Sequence, residues 1–94
     1  MTALGVPNYV VTDHALFEMK RRALSQDILR QVLGSPEQRL DVRPGRVVLQ
    51  SRVSVGVPAK VKLLRVVVDI DREPAEVVTV YRTSKISKYW RPES

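Results

Sequence analysis

Apolar residues in the first third of the chain recur at helical spacing. They form two stripes: the first consists of Ala15, Leu16, Met19 and Ala23, and the second of Ile28, Leu29, Val32 and Leu33. Thr12 or Asp13 can cap the first helix and Ser25 the second, because their side-chain oxygens accept hydrogen bonds from first-turn amides. The sequence therefore predicts two short helices joined by a tight corner.

After Pro36 the pattern changes from helical spacing to the alternation typical of strands. Strands are predicted near residues 38–43, 46–55, 60–71 and 75–82, and residues 9–11 are a further short strand candidate. Residues 63–68 are apolar on both faces except at Arg65, which is typical of a central strand. The short turns at Pro44-Gly45 and at residues 71–74 require antiparallel pairing of the strands that they join.

A last short helix follows Ser84. Ile86, Tyr89 and Trp90 share one side of it and are expected to pack on the sheet. The predicted fold class is α+β: two N-terminal helices packed on one face of a four-stranded antiparallel sheet, with a short C-terminal helix. We expect residues 1–94 to form a single domain, with flexible ends at residues 1–8 and 91–94.

Composition narrows the chemistry that the chain can perform. Its 94 residues suffice for one core, and 44% hydrophobic and 28% charged residues are typical of a globular protein. It has no cysteine and one histidine, so we expect no disulfide, no metal site and no cofactor. No apolar run approaches the ~20 residues of a membrane span. We therefore expect a soluble cytoplasmic protein that is not bound to a membrane.

The net charge of +6 is unevenly distributed. Residues 39–65 hold seven cations and one acid, residues 66–81 hold one cation and four acids, and residues 82–94 hold four cations and one acid. The basic excess therefore lies in the middle segment and the C-terminal tail. Such clustering is typical of a protein that binds a polyanion or an acidic protein, although a solvated charged surface gives the same pattern.

The order of elements and several short motifs resemble those of the family of domain of unknown function 4258. The matching segments are His14-Ala15, Met19, Arg22-Ala23-Leu24-Ser25, Leu33-Gly34-Ser35-Pro36, Arg46–Leu49, Lys62–Val68 and Val78–Tyr81, within residues 9–90. In that family a His-Ala pair starts the first helix, and a glycine usually stands at the corner where this chain has Ala23. The corner must then avoid a left-handed residue or cost ~1 kcal/mol.

The family is generally placed near the RelE, ParE and BrnT toxins, which are small basic proteins paired with an antitoxin. Several of them cut RNA without a metal, using Arg, Lys and Tyr side chains, with histidine variable. Such cleavage needs a base for the 2′-OH proton, cations for the developing charge and an acid for the leaving oxygen. The resemblance implies as candidate catalytic residues His14, Arg65, Tyr81 and Lys85. The candidate RNA-binding residues are Arg22, Arg46, Arg52, Lys60, Lys62, Arg82 and Lys88.

Each candidate residue also has a structural interpretation. His14 near a helix start can make a structural hydrogen bond, and Arg65 can pair with Asp69 or Glu76. Tyr81 can be a core aromatic residue, and the lysines after it can lie on a solvated helix face. If the protein cuts RNA, we expect His14 and Arg65 to face one cleft together with Tyr81 or Lys85.

Two functions remain open. The first is a RelE-like endoribonuclease that acts on mRNA, free or on the ribosome, with an acidic antitoxin-like protein as partner. The second is a non-catalytic basic module on the same fold that binds RNA or a protein, including a ParE-like inhibitor of a topoisomerase. A base and two cations that converge in one cleft would favour the enzyme. Scattered candidates, or a cleft filled by Tyr81 and Trp90, would favour the binding module.

Overall fold

The computed structural model describes residues 5–92. In chain order the elements are β1 (Tyr9–Val11), α1 (Asp13–Arg21), α2 (Gln26–Gly34), β2 (Gln38–Arg43), β3 (Arg46–Val55), β4 (Lys60–Asp69), β5 (Ala75–Thr83) and α3 (Ile86–Tyr89). All five strands belong to one sheet with the order β1-β5-β4-β3-β2. Residues 1–4 and 93–94, which include parts of the predicted flexible ends, lie outside the described residues, and the single-domain organisation stays a prediction.

The predicted four-stranded antiparallel sheet is wrong, because the sheet has five strands and one of its pairs is parallel. Tyr9, Val10 and Val11 of β1 lie beside Ala75, Glu76 and Val77 of β5 in parallel register. Both the backbone N–H and the hydroxyl of Thr12 donate to the Val77 carbonyl, at 3.1 and 3.0 Å. Parallel neighbours cannot be joined by a tight turn, and here both helices and three strands separate them. A three-residue strand gives no sequence signal for such a distant partner.

The four later strands do pair as an antiparallel meander. The registers are Gln38↔Gln50, Arg46↔Asp69 and Leu63↔Thr83 for the three successive pairs, and β4 is central as predicted. Gly45 has φ 84°, the conformation that the third residue of a type II turn requires. Strand β4 ends at Asp69, two residues before the predicted end.

The main core lies between one face of the sheet and the first two helices. Its buried members are Val6, Ala15, Met19, Leu29, Val32, Leu33, Val47, Leu49, Leu64, Val66, Val68, Ala75, Val77 and Val80. Helix α1 packs on β5, and α2 packs on β3 and β4. Thr12 and Ser25 cap the two helices as predicted, with their hydroxyls accepting from Ala15 N and Ile28 N at 3.2 and 3.1 Å. We call the covered side of the sheet its helical face.

The first described residues run alongside the end of α2. The Val6 N–H donates to the Leu33 carbonyl at 2.7 Å, and Val6 is buried. Gly5 lies so close to the backbone of Gly34 that a Cβ there would overlap it, so only glycine fits. Within residues 5–92, no helix has both the length and the apolar composition to cross a membrane.

The corner between α1 and α2 contains a strained residue. Ala23 has φ 53°, in the left-handed region that glycine favours. Its N–H donates to Lys20 O at 3.2 Å, and the Leu24 N–H donates to Met19 O at 2.9 Å, which together form a Schellman motif. The motif requires a left-handed residue after the helix cap, so the alanine is strained where the family resemblance expects a glycine.

Replacing Ala23 by glycine is expected to stabilise the protein. A Cβ in the left-handed region costs roughly 1–2 kcal/mol, and glycine loses about 0.5–1 kcal/mol more backbone entropy on folding. The net gain in the free energy of unfolding should be about 0.5–1 kcal/mol, measured by urea denaturation. Ala15→Gly is the control: in the buried interior of α1 it should lower stability by about 1 kcal/mol. A glycine at position 23 that leaves stability unchanged or lower would contradict the strain.

Candidate nucleic-acid interface

Four polar side chains lie directly opposite one another across β2, β3, β4 and β5. The registers place Gln38 opposite Gln50, Gln50 opposite Arg65, and Arg65 opposite Tyr81. Their strand neighbours Leu49, Leu64, Val66 and Val80 belong to the main core. Because successive side chains of a strand point to opposite faces, the four polar residues lie on the side away from α1 and α2. We call this side the ladder face.

Arg65 is at the centre of the hydrogen bonds on the ladder face. Its Nε donates to Gln50 Oε1 at 2.9 Å, and its Nη1 donates to the Tyr81 hydroxyl at 2.5 Å. Gln50 is completely buried and donates from Nε2 to Gln38 Oε1 at 2.7 Å and to the Tyr89 carbonyl at 3.2 Å. A partly buried guanidinium in the central strand is therefore stabilised by neutral oxygens instead of a carboxylate.

The C-terminal segment packs on the ladder face through aromatic rings. The Arg65 guanidinium carbon lies 4.3 Å from the centroid of the Tyr89 ring and 5.7 Å from that of Tyr81. The Arg52 guanidinium lies 4.3 Å from the centroid of the Trp90 ring. Two consecutive aromatic residues thus cover two arginines of neighbouring strands, which is the geometry of cation–π contacts.

Hydrogen bonds between the Gln38 side chain and the backbone also hold this segment in place. Gln38 donates from Nε2 to the Arg91 carbonyl at 2.5 Å, and the Arg91 N–H donates back to Gln38 Oε1 at 3.0 Å. Arg52 donates to both carboxylate oxygens of Glu37, at 3.1 and 2.9 Å. The charged hydrogen bonds of Arg52 hold the pKa of Glu37 below its usual value. The backbone of the segment is therefore held against the sheet, and the rings of Tyr89 and Trp90 remain partly exposed.

The structure brings several predicted site residues to the ladder face and its border. Arg65 and Tyr81 are in contact, and Arg52 lies beside them on the same side of β3. Lys85 precedes α3, where its backbone N–H donates to Thr83 Oγ1 at 3.1 Å. The Lys88 ammonium lies 5.4 Å from the Tyr89 ring centroid. The ladder face therefore combines arginines, lysines and aromatic rings.

Three other candidates lie on the helical side. His14 is an exposed residue in the first turn of α1, whose Ala15 and Met19 pack on the helical face, so the expected cleft of His14 with Arg65 and Tyr81 does not form. Arg22 caps α1 and lies 3.7 Å from Glu18, and among the described residues its buried Nε has no hydrogen-bond partner. Arg82 pairs in register with Leu64, on the face opposite Tyr81.

The remaining basic candidates lie at opposite ends of the β3–β4 hairpin. Arg46 begins β3 and forms two hydrogen bonds to Asp69, at 2.6 and 3.0 Å. Lys60 lies opposite Val55, nine residues further along β3, and Lys62 lies opposite Val53. At ~3.4 Å per residue, about 30 Å separates Arg46 from Lys60. The middle segment is therefore basic along its whole length but does not form a single compact patch.

The described residues contain no group of three or more His, Asp or Glu side chains that could hold a metal ion. The polar groups of the ladder face are its cations, amides and phenol. Its Arg65–Tyr81 pair supplies a cation beside a hydroxyl, and Arg52, Lys85 and Lys88 supply further positive charge around the rings.

A sequence profile for a domain of unknown function, DUF4258, matches residues 11–82, well over half of the chain. The chain belongs to the DUF4258 family. No curated protein and no solved structure matches it. The match includes the His14-Ala15 helix start, the strained corner at Ala23 and the four antiparallel strands up to Arg82.

Three residues of the site were not among the candidates from sequence: Gln38, Gln50 and Tyr89. No sequence pattern gave Gln50 a role, and Tyr89 was predicted only to pack on the sheet. The sequence of this DUF4258 protein shows that Gln50 and Arg52 lie on the same face of a strand, because they are two residues apart. The position of Gln50 opposite Arg65 depends on the register of two strands. A glutamine between valines and leucines in a buried strand is the signal that could have identified it.

Arg46 and Asp69 are expected to make the stability of this DUF4258 protein depend on acid pH. The charged hydrogen bonds of Arg46 hold the pKa of the Asp69 carboxyl below its usual value. A lowered folded-state pKa contributes stability that is complete above the unfolded pKa of ~3.9 and is lost as pH falls through the folded value. Asp69→Asn should be less stable at neutral pH, and the difference between the two proteins should shrink as pH falls below about 3.9. Urea denaturation across this pH range measures it; parallel curves would contradict the assignment.

Proposed function

We propose that the protein is a toxin-like RNA-binding module whose ladder face binds single-stranded RNA. The observation that supports this most is the pairing of two arginines with two consecutive aromatic rings, Arg65 with Tyr89 and Arg52 with Trp90. Single-stranded nucleic acid is held by aromatic rings that stack on bases and by cations that contact phosphates. Both kinds of group occur here on one side of the sheet.

The geometry of the rings favours single strands over duplexes. One face of each ring lies against a guanidinium, so the opposite face is the one that a base can approach. Duplex bases are already stacked on one another and cannot approach such a ring. Because the hydrogen bonds of Gln38 and Gln50 hold the backbone of residues 89–91, the rings are preorganised and little conformational entropy is lost on binding.

Positive charge supports the same surface. Residues 84–94 hold three cations and one acid, and Lys85 and Lys88 precede Tyr89. Such a concentration of cations attracts phosphates at long range and makes binding dependent on salt. The resemblance to RelE- and ParE-like toxins adds mRNA, free or on the ribosome, as the expected ligand and an acidic antitoxin-like protein as the expected partner.

Binding alone is favoured over catalysis by the position of the histidine. His14 is the single histidine of the chain and lies on the helical side, so it cannot act together with Arg65 and Tyr81. A metal-independent ribonuclease needs a group that accepts the 2′-OH proton near neutral pH. Among the described residues of the ladder face, no carboxylate or imidazole contacts Arg65 or Tyr81.

A second candidate function, RNA cleavage, is favoured by one contact. The Tyr81 hydroxyl accepts a hydrogen bond from Arg65 Nη1 at 2.5 Å, which places a phenol and a cation side by side on the ladder face. Tyr81 would then exchange protons with the substrate, and Arg65 would hold the negative charge that develops on the phosphate. This candidate assigns no catalytic role to His14.

Trp90→Ala is expected to weaken RNA binding. Loss of one stacked base costs ~1–3 kcal/mol, which corresponds to roughly 5–150-fold in Kd. Fluorescence anisotropy with a labelled oligouridine of about a dozen nucleotides measures the affinity. Phe17→Ala is the matched control, because Phe17 is an exposed aromatic residue on α1 and its loss should leave Kd unchanged. Equal affinities for the wild type and Trp90→Ala, in proteins that both remain folded, would refute the proposed surface.

Salt dependence measures the phosphate contacts of the same complex. The logarithm of the binding constant should fall linearly with the logarithm of the salt concentration, by about 0.7 per phosphate contacted in a single strand. Replacing Arg65 by Ala should reduce this slope by about one such contact, whereas His14→Ala should not change it. A flat salt dependence, or no binding at low salt, would favour an acidic protein ligand in place of RNA.

Tyr81→Phe distinguishes the two candidate functions. If the protein cleaves RNA, removal of the hydroxyl should lower the cleavage rate by roughly 10²–10⁴ and leave affinity nearly unchanged. His14→Ala should retain the wild-type rate. If the protein only binds RNA, gel analysis of a labelled oligonucleotide should show no cleavage by any of these proteins. Cleavage that depends on His14 would contradict the geometry described above.

A further inference from the structure

The hairpin of β3 and β4 extends beyond the strands beside it. Strand β2 pairs with β3 as far as Gln50, and β5 pairs with β4 from Leu63 onward. Residues 52–62 therefore form a two-stranded ribbon with no described strand beside either edge, which we call the basic arm. On the β2 side, the Arg52 N–H donates to a carboxylate oxygen of Glu37 at 2.7 Å, instead of to the backbone of a neighbouring strand. Open strand edges can pair with an added strand.

One side of the basic arm alternates valines with lysines. Val53 lies opposite Lys62 and Val55 lies opposite Lys60. Val53 packs at the border of the main core, so this side continues the helical face beyond α2. Both valines are only half-buried, and Val57 at the tip is fully exposed. The basic arm therefore presents an incompletely covered apolar strip bordered by cations.

The two lysines of the basic arm differ from Arg52 at its base, which pairs with Glu37. No acidic residue occurs between Asp41 and Asp69 in the sequence. In residues 5–92, neither Lys60 nor Lys62 forms an ion pair with a carboxylate. By contrast, Arg46 and Arg72 at the opposite end of the hairpin pair with Asp69 and Asp71. The arm thus differs from the other basic regions of the sheet.

A cavity of about 330 Å³ opens at the base of the basic arm, beside the end of α2. Val32, Ser35 and Val53 are among the residues that line it. Its walls are mostly polar, and Val32 and Val53 are their apolar members, so it offers one small apolar site between polar groups.

We propose that the basic arm is a docking surface for an acidic, valine- or leucine-containing segment of another protein. The segment would lie in extended form along the arm, with carboxylates beside Lys60 and Lys62 and apolar side chains over Val53 and Val55. RNA fits this surface less well, since residues 50–63 contain no aromatic residue on which a base could stack. The inference does not rest on RNA binding, because the lysines face the opposite side of the sheet from Arg65.

The proposal is tested with a synthetic peptide of about eight residues in which every second position is glutamate or valine in turn, with threonine between them, so that both kinds of side chain face the arm in an extended chain. Titrated into the ¹⁵N-labelled full chain, it should shift backbone amide signals within residues 53–62 and leave those of Arg65 and Tyr81 in place. Lys60→Glu with Lys62→Glu should weaken binding by at least about tenfold, because two favourable charge pairs become repulsive. The control is Lys20→Glu with Arg30→Glu, which changes the net charge by the same amount but places the new acids on the two helices. This variant should retain wild-type affinity.

Three results would overturn the proposal. The first is the absence of any shift at about millimolar peptide. The second is a shift of the ladder-face signals in place of those of the basic arm. The third is an oligouridine that shifts the signals of residues 53–62 as strongly as the peptide does, which would identify the arm as a nucleic-acid surface. Failure of RNA to bind the ladder face would refute the proposed function and leave this proposal standing.

Discussion

The structure depends on how the sheet accommodates Arg65 in the middle of its central strand. A guanidinium at this position would lose much of its hydration unless neighbouring oxygens replaced it. Gln50 on one side and Tyr81 on the other supply those oxygens, and the Tyr89 ring covers the cation. Gln50 in turn requires Gln38 and the Tyr89 carbonyl. The C-terminal segment is consequently held on the ladder face by polar contacts, whereas α1 and α2 are held on the other face by apolar packing.

This division between the faces also separates the possible functions. The helical face is occupied by the core, so the residues near it, including His14, Arg22 and Arg82, cannot join the chemistry of the ladder face. The ladder face carries rings and cations that suit single-stranded RNA, while the basic arm carries lysines and valines that suit an acidic protein segment. RNA and a protein partner would then occupy different surfaces, and neither would have to displace the other.

The DUF4258 family membership fits the particular features of this chain. The matched region includes the corner at Ala23, where the Schellman motif forces this residue into the left-handed region that glycine favours. The corner geometry is set by the hydrogen bonds at the end of α1 and not by the residue itself. A chain can therefore retain the geometry of the corner while losing the residue best suited to it.

The sequence by itself determined the local structure: both helices with their caps, four strands with nearly correct ends, and the turn at Gly45. These features depend on neighbours within a few residues, which periodicity and turn chemistry report. Only the tertiary structure decided the parallel β1–β5 pair and the composition of the site. Register irregularities lie between Asp41 and Arg43 and between Val67 and Val68. With regular registers from the two turns, Arg39 would lie opposite Gln50, and Val80 opposite Arg65. A one-residue slip exchanges the faces of a strand, and which slip occurs depends on packing across the whole sheet, which no local pattern encodes.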